Sequence, residues 1–248
     1  MANKTNNAST PRWDEIAAFL AQHKKRLQAA ETHIDLREFA KEQGLDNADD
    51  FGKYKYCLKK IGVDYVELRT IGMEQRNQEL ESRAEELATQ ATSAPVVRLW
   101  CAAVEDTDSG QGSYAILDGD GAALWYGKFF EGDKRAIRTA GDQASAEQDV
   151  ADKCVYVAGK ARELAGEDVA TVWIHTNYPE LDLAPLRIAG ARHGVAVEVI
   201  VDSDDQAALE MASMPGFKRI SDNLDQALID LLEHEVEAAD DSADETGE

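Results

Sequence analysis

The stretch Val104–Leu117, VEDTDSGQGSYAIL, packs Glu105, Asp106 and Asp108 into a short glycine-rich turn between two strand-like runs. Acids at that spacing bond their own backbone as turn formers, or they offer hard oxygen ligands to a divalent cation. A second acid stands out at Glu147. It lies four residues before Ala151 and seven before Cys154, so a helix through this region aims it at the apolar face. A carboxylate there needs a partner, and a metal ion is one. The competing expectation is local: Ser145 and Gln148 form a capping box, and an acid in a first turn suits the helix dipole. Farther on, VWIHTNY (172–178) is a strand-like run that ends on Asn177 and carries His175, which is expected to pack within the strand. DSDDQAALEMA (202–212) holds Asp205 and Glu210 where Ser203 would cap a helix with acids in its first turn.

Other chemistries leave no trace. Gly119 and Gly121 belong to a hairpin rather than a phosphate-binding loop, and neither Cys/His zinc spacing nor a Gly-x-Ser-x-Gly elbow occurs. Cys57, Cys101 and Cys154 are odd in number and widely spaced, as free thiols would be. Cys101 falls in a strand-like run and Cys154 on an apolar helix face, so both are expected to be core residues.

The elements that must position these residues follow from periodicity. Residues 1–11 are polar and expected to fray. Trp13, Ile16, Ala17 and Leu20 recur at helical spacing over about four turns. Asp35 can cap a helix bearing Leu36, Phe39 and Ala40, ended by Gly44. Asp49 or Asp50 can cap the next, bearing Phe51, Tyr54, Leu58 and Ile61, ended by Gly62. Residues 71–94 read as an exposed helical linker or short coiled coil, broken at Ser93-Ala-Pro95. A second domain spans 95–235. Its expected strands are 96–104, 113–117 and 123–130, with a hairpin signal at Asp118-Gly-Asp-Gly121. A helix (145–165), a strand (169–175), a helix (182–193), a strand (195–201) and two helices (203–213, 221–235) follow. Three hairpin-linked strands extended by parallel crossovers make a mixed α/β sheet covered on both faces. Residues 236–248 read as an acidic disordered tail.

Charge narrows the partners. The formal net charge is −22; residues 95–232 hold 12 basic and 24 acidic residues, and 233–248 hold eight acids and no base. Such a surface repels nucleic acid unless a basic patch or metal ions compensate. The basic side chains that could compensate, Lys53, Lys55, Lys59 and Lys60, stud the helix after Asp50, where they suit phosphate contact or simply form a solvated face. High acidity also fits a high-salt cytoplasm or a high-GC host. No run reaches the ~18 apolar residues of a membrane span and no apolar signal core opens the chain, so a cytoplasmic, non-membrane protein is expected.

Two resemblances sharpen this reading. Ala40-x-x-x-Gly44-Leu45, followed by a helix ending Leu-Lys-Lys-Ile-Gly-Val63, resembles a helix-turn-helix over about thirty residues, with a longer linker than that family uses. It implies an N-terminal helical domain (12–70) whose second helix contacts phosphates. The element order of 96–213 resembles the ribonuclease H-like superfamily, with a mixed five-stranded sheet. Thr107-Asp108-Ser109-Gly110 and Tyr114-Ala115 are similar to that family's first-strand motif, Ser145-Ala-Glu-Gln148 to its helical glutamate, and Thr176-Asn177-Tyr178 to its Thr-Asp-Ser. The resemblance implies a nuclease with two Mg²⁺ (or Mn²⁺) ions, acting on the RNA strand of RNA–DNA hybrids. It assigns Asp108 (with Asp106 as the alternative) and Glu147 to the metals, with Asn177 and Asp205 or Glu210 completing the site. The family's last ligand falls on Leu209, and Asn177 removes one negative charge. The alternative that these departures imply is a catalytically inactive ribonuclease H-like module that engages a protein partner through its acidic surface. A third alternative is a DNA-binding regulator that acts through the helix-turn-helix alone.

Overall fold

A computed structural model describes residues 12–133 and 136–233. The expectations for residues 1–11 and for the tail 236–248 lie outside the described residues. The chain forms two compact units, meeting in sequence at Gln78/Glu79.

The first unit is all helical: α1 (Arg12–Gln22), α2 (Lys24–Gln28), α3 (His33–Glu42), α4 (Phe51–Lys60) and the beginning of α5 (Tyr65–Gln90). The helix expected over four turns is divided: α1 stops at Gln22 and α2 is a separate short helix. The core gathers Ile16, Leu20, Leu27, Leu36, Phe39, Tyr54 and Leu58, and the buried Tyr54 hydroxyl donates to Leu36 O at 2.7 Å. Asp35 does not cap α3 alone. Thr32 is the N-cap, accepting from Asp35 N, while Asp35 occupies the third helical position and accepts from Thr32 N at 2.9 Å. The box satisfies two orphan donors where a lone Asp cap satisfies one.

The second unit is a mixed sheet. Its strands are β1 (Val96–Glu105), β2 (Gly112–Leu117), β3 (Ala123–Lys128), β4 (Ala170–Thr176), β5 (Val195–Val201) and the short β6 (Leu232–Glu233). The order is β3-β2-β1-β4-β5, with β6 paired to the beginning of β1. β1, β2 and β3 pair antiparallel; β1, β4 and β5 pair parallel. Helices α6 (Gln143–Ala165), α7 (Leu183–His193), α8 (Ala207–Ala212) and α9 (Asp225–Ile229) complete it. β1 alternates: Val97, Leu99, Cys101 and Ala103 share the main core with α6, whereas Trp100 and Ala102 share the opposite face with Ala208, Leu209 and Met211 of α8. Of the helix expected over 221–235, the described residues to 233 instead form a 3-10 turn, the five-residue α9 and β6. Val96 and Val97 are not reached by β2, so they leave a length of strand edge that β6 fills.

Asp142, not Ser145, caps α6, accepting from Ala144 N. Ser145 instead receives Thr139 N at 2.7 Å. α7 begins behind the Asp182 cap and closes on Gly194. Near its end Gly190 lets α7 touch the sheet, since a Cβ there would lie 2.3 Å from Val195 O and 2.7 Å from a Val197 methyl. Gly190→Ala is therefore expected to cost about 1–3 kcal/mol, despite the helix-favouring side chain, as a lowered melting temperature in calorimetry.

Candidate functional site

Of the candidate residues, the fold brings Glu147 to the C-terminal end of β1. Trp100 is the last β1 residue with a register partner in β4, namely His175, yet β1 continues to Glu105. Its backbone beyond that point would be orphaned on the β4 side. Side chains of α6 replace the missing strand. Gln143 donates to Ala103 O at 2.8 Å and accepts from Glu105 N at 2.9 Å, while Glu147 Oε2 accepts from Ala103 N at 3.2 Å. Gln143 also donates to Glu147 Oε1 at 2.8 Å. The Glu147 carboxylate is only 3% exposed and both of its oxygens are engaged by neutral N–H donors. Burial pushes it up against these two bonds, to a pKa of about 7.

The other candidates sit elsewhere. The β1–β2 turn begins three residues beyond Ala103, about 10 Å along the strand. Its Asp106 is a turn former: Oδ1 accepts from the amides of Asp108 and Ser109, and Oδ2 from the Ser109 hydroxyl at 2.6 Å. Those donors, the hydroxyl foremost, hold Asp106 below the usual carboxylate range. Asp108 is exposed in that turn while Glu147 is buried on α6. Asn177 follows β4 directly and is half-buried. Asp205 accepts from Ala207 N at the entrance of α8, and Glu210 is exposed on that helix. Both belong to the α8 face of the sheet, opposite Glu147. His175 lies on the α8 face too, stacked on Trp100 at 4.2 Å, its Nε2 buried without a hydrogen-bond partner. Burial lowers its pKa, against the pull of Asp205 and Asp202. Among the described residues, no group of three or more His, Cys, Asp or Glu side chains is placed to hold a metal ion.

The strongest electrostatic feature passes unseen in the sequence. Glu105, whose side chain is fully buried, receives Arg138 in a two-pronged bond, Nε at 2.7 Å and Nη2 at 2.6 Å, plus Gly141 N at 2.7 Å. Burial raises Glu105, but Arg138 and the amide outweigh it and hold the carboxyl below its usual range. Arg138 also donates to Gly110 O at 2.6 Å and lies over the Phe129 ring. A Cβ at Gly112 would meet Glu105 Oε2 at 2.2 Å, so this first β2 residue, opposite Glu105, makes room for the pair. A second buried pair, Asp149–Lys153, lies beneath. Asp149 accepts Ile137 N, and the Lys153 ammonium sits 5.5–5.8 Å from the rings of Tyr114, Trp125 and Phe129. Together the two pairs fasten the segment after β3 to β1 and α6. Cys101 and Cys154 are buried in the same core.

In the first unit, Lys53 pairs with Asp50 at 3.2 Å and Lys59 with Asp64 at 3.0 Å. Lys55 and Lys60 make no ion pair among the described residues, and each lies over a ring, Phe51 and Tyr56 respectively.

No protein-family model, curated protein or solved structure with which the chain was compared matches it. Among the described residues no helix is long and apolar enough to cross a membrane.

Proposed function

We propose that the chain is a non-catalytic binding module of the ribonuclease H-like kind, carrying a helical unit that contacts nucleic acid through Lys55 and Lys60. The β3-β2-β1-β4-β5 order, with β4 and β5 parallel to β1, supports the ribonuclease H-like part of the reading. One observation carries the non-catalytic part: Glu147, the central acid expected of a two-metal site, spends both oxygens on Gln143 and the β1 edge, and the residue it meets on β1 is Ala103. A pair of divalent ions needs several carboxylates around one point. Here Asp108 lies in the turn beyond β1, Asn177 is an amide, and Asp205 and Glu210 belong to the other face.

The test uses a labelled RNA–DNA hybrid with Mg²⁺ or Mn²⁺. The expected result is no cleavage by the wild type above that of Asp108→Asn or Glu147→Gln. Binding of the uncleaved hybrid is expected to weaken in Lys55→Glu and Lys60→Glu and to fall with salt. Cleavage by the wild type that either acid substitution abolishes would restore the nuclease reading.

A further inference from the structure

Two aromatic side chains of the first unit stand in the open beside the lysines of α4. Trp13 of α1 and Tyr56 of α4 are 40% and 54% exposed, and their rings meet nearly perpendicular at 5.3 Å. At the helical repeat, Lys55, Lys59, Tyr56 and Lys60 follow one another around an arc of about 140°. The Tyr56 ring therefore lies among three ammonium groups on one face of α4. Gly52, one turn earlier in the same arc, adds no side chain, and a Cβ there would meet nothing within 4 Å among the described residues. The face continues into a groove against the beginning of α5, where Tyr65, Val66 and Thr70 join Lys55, Tyr56 and Lys59.

The charge on this face is modest. Lys53 and Lys59 are paired with Asp50 and Asp64, Glu67 lines the groove, and Asp14 adjoins Trp13. Duplex binding draws on the neutralisation of many phosphates, and reading a duplex needs side chains that reach base edges. α4 is poor in both respects. It contains no Arg, Asn or Gln, and Lys55 and Lys60 lie over the rings of Phe51 and Tyr56. What it does supply is an exposed π-face with a cation beside it. Bases paired inside a duplex cannot stack on such a face, whereas unpaired bases can.

We infer that this face binds single-stranded nucleic acid. The inference rests on the reading that Lys55 and Lys60 contact nucleic acid, and it names the form that they take. One base stacks on Tyr56 and the next turns to stack on Trp13, while the Lys55 and Lys60 ammonium groups leave their rings for the adjoining phosphates. Stacking of this kind is tolerant of base identity and serves DNA and RNA strands alike.

Fluorescence anisotropy of the full chain with ~20-nucleotide oligo-dT, oligo-U and an RNA–DNA hybrid of the same length tests this. At least one of the single strands is expected to bind about tenfold tighter than the hybrid, or more. Tyr56→Ala and Trp13→Ala should each weaken single-strand binding about fivefold or more, and Tyr56→Phe, which keeps the ring, should not. Far-UV spectra check that these exposed-site variants stay folded. A hybrid bound as tightly as both single strands overturns the inference, and so does single-strand binding that Tyr56→Ala leaves unchanged while Lys55→Glu and Lys60→Glu weaken it. Lysine substitutions that alter the binding of none of the three probes overturn the underlying reading instead.

Discussion

Arg138→Ala is expected to lower the stability of the second unit by about 3–5 kcal/mol. The Arg138 side chain is 7% exposed and the Glu105 side chain fully buried. Removing the cation leaves a carboxylate in the core whose one remaining donor among the described residues is Gly141 N. The charge must then be carried uncompensated or neutralised by a proton, and either is costly away from water. The loss spreads further, because Arg138 also holds Gly110 O and stacks on Phe129, so the β1–β2 turn and the segment entering α6 lose a shared anchor. Urea unfolding followed by tryptophan emission reads this unit, since Trp100, Trp125 and Trp173 lie in it and only Trp13 does not. The midpoint should fall sharply with the slope unchanged. Replacing both partners together, as in Glu105→Leu with Arg138→Met, should cost less than Arg138→Ala alone, because no charge is then left unpaired. A single substitution costing under about 1 kcal/mol would show that the pair behaves as a surface ion pair.

Glu147→Gln is expected to flatten the pH dependence of stability. The carboxyl titrates near pH 7 in the folded chain, raised from 4.5 by burial. The folded state therefore holds a proton that the unfolded chain releases between those values. Stability contributed by this group is greatest below pH 4.5, declines as pH rises toward 7 and is level above it, a difference of about 3 kcal/mol. The wild type should lose stability between pH 5 and pH 8 by a margin that Glu147→Gln lacks, as urea midpoints at the two values would show. Equal pH profiles would mean that Glu147 ionises as freely as an exposed acid. The glutamine still accepts from Ala103 N through its carbonyl oxygen, so the β1 edge stays covered, while its amide nitrogen replaces the oxygen that accepted from Gln143, a loss that lowers stability equally at both pH values.

Much of the second unit was legible from local pattern. The run VAVEVIV predicts a strand over 195–201, and β5 has those bounds; Gly194 ends α7 in a left-handed conformation, as a terminal glycine should. Asp118-Gly-Asp-Gly121 makes the β2–β3 turn, with Gly121 at φ 78°. Glu147 was rightly aimed inward by its spacing from Ala151 and Cys154, since α-helical periodicity is a property of consecutive residues.

What sequence alone determined, then, was the run of strands and helices from β1 to β5, the inward direction of Glu147 and the uneven charge. What occupies Glu147 was decided only by the tertiary structure: the pairing of β4 with β1 ends at His175 while β1 runs on, and the strand edge left over recruits Gln143 and Glu147 as stand-ins for a missing strand. Likewise Glu105 meets Arg138 across 33 residues, in a segment with no periodicity to mark it. Hydrogen bonds and ion pairs between distant residues depend on where strands end and turns aim, and no local spacing encodes that.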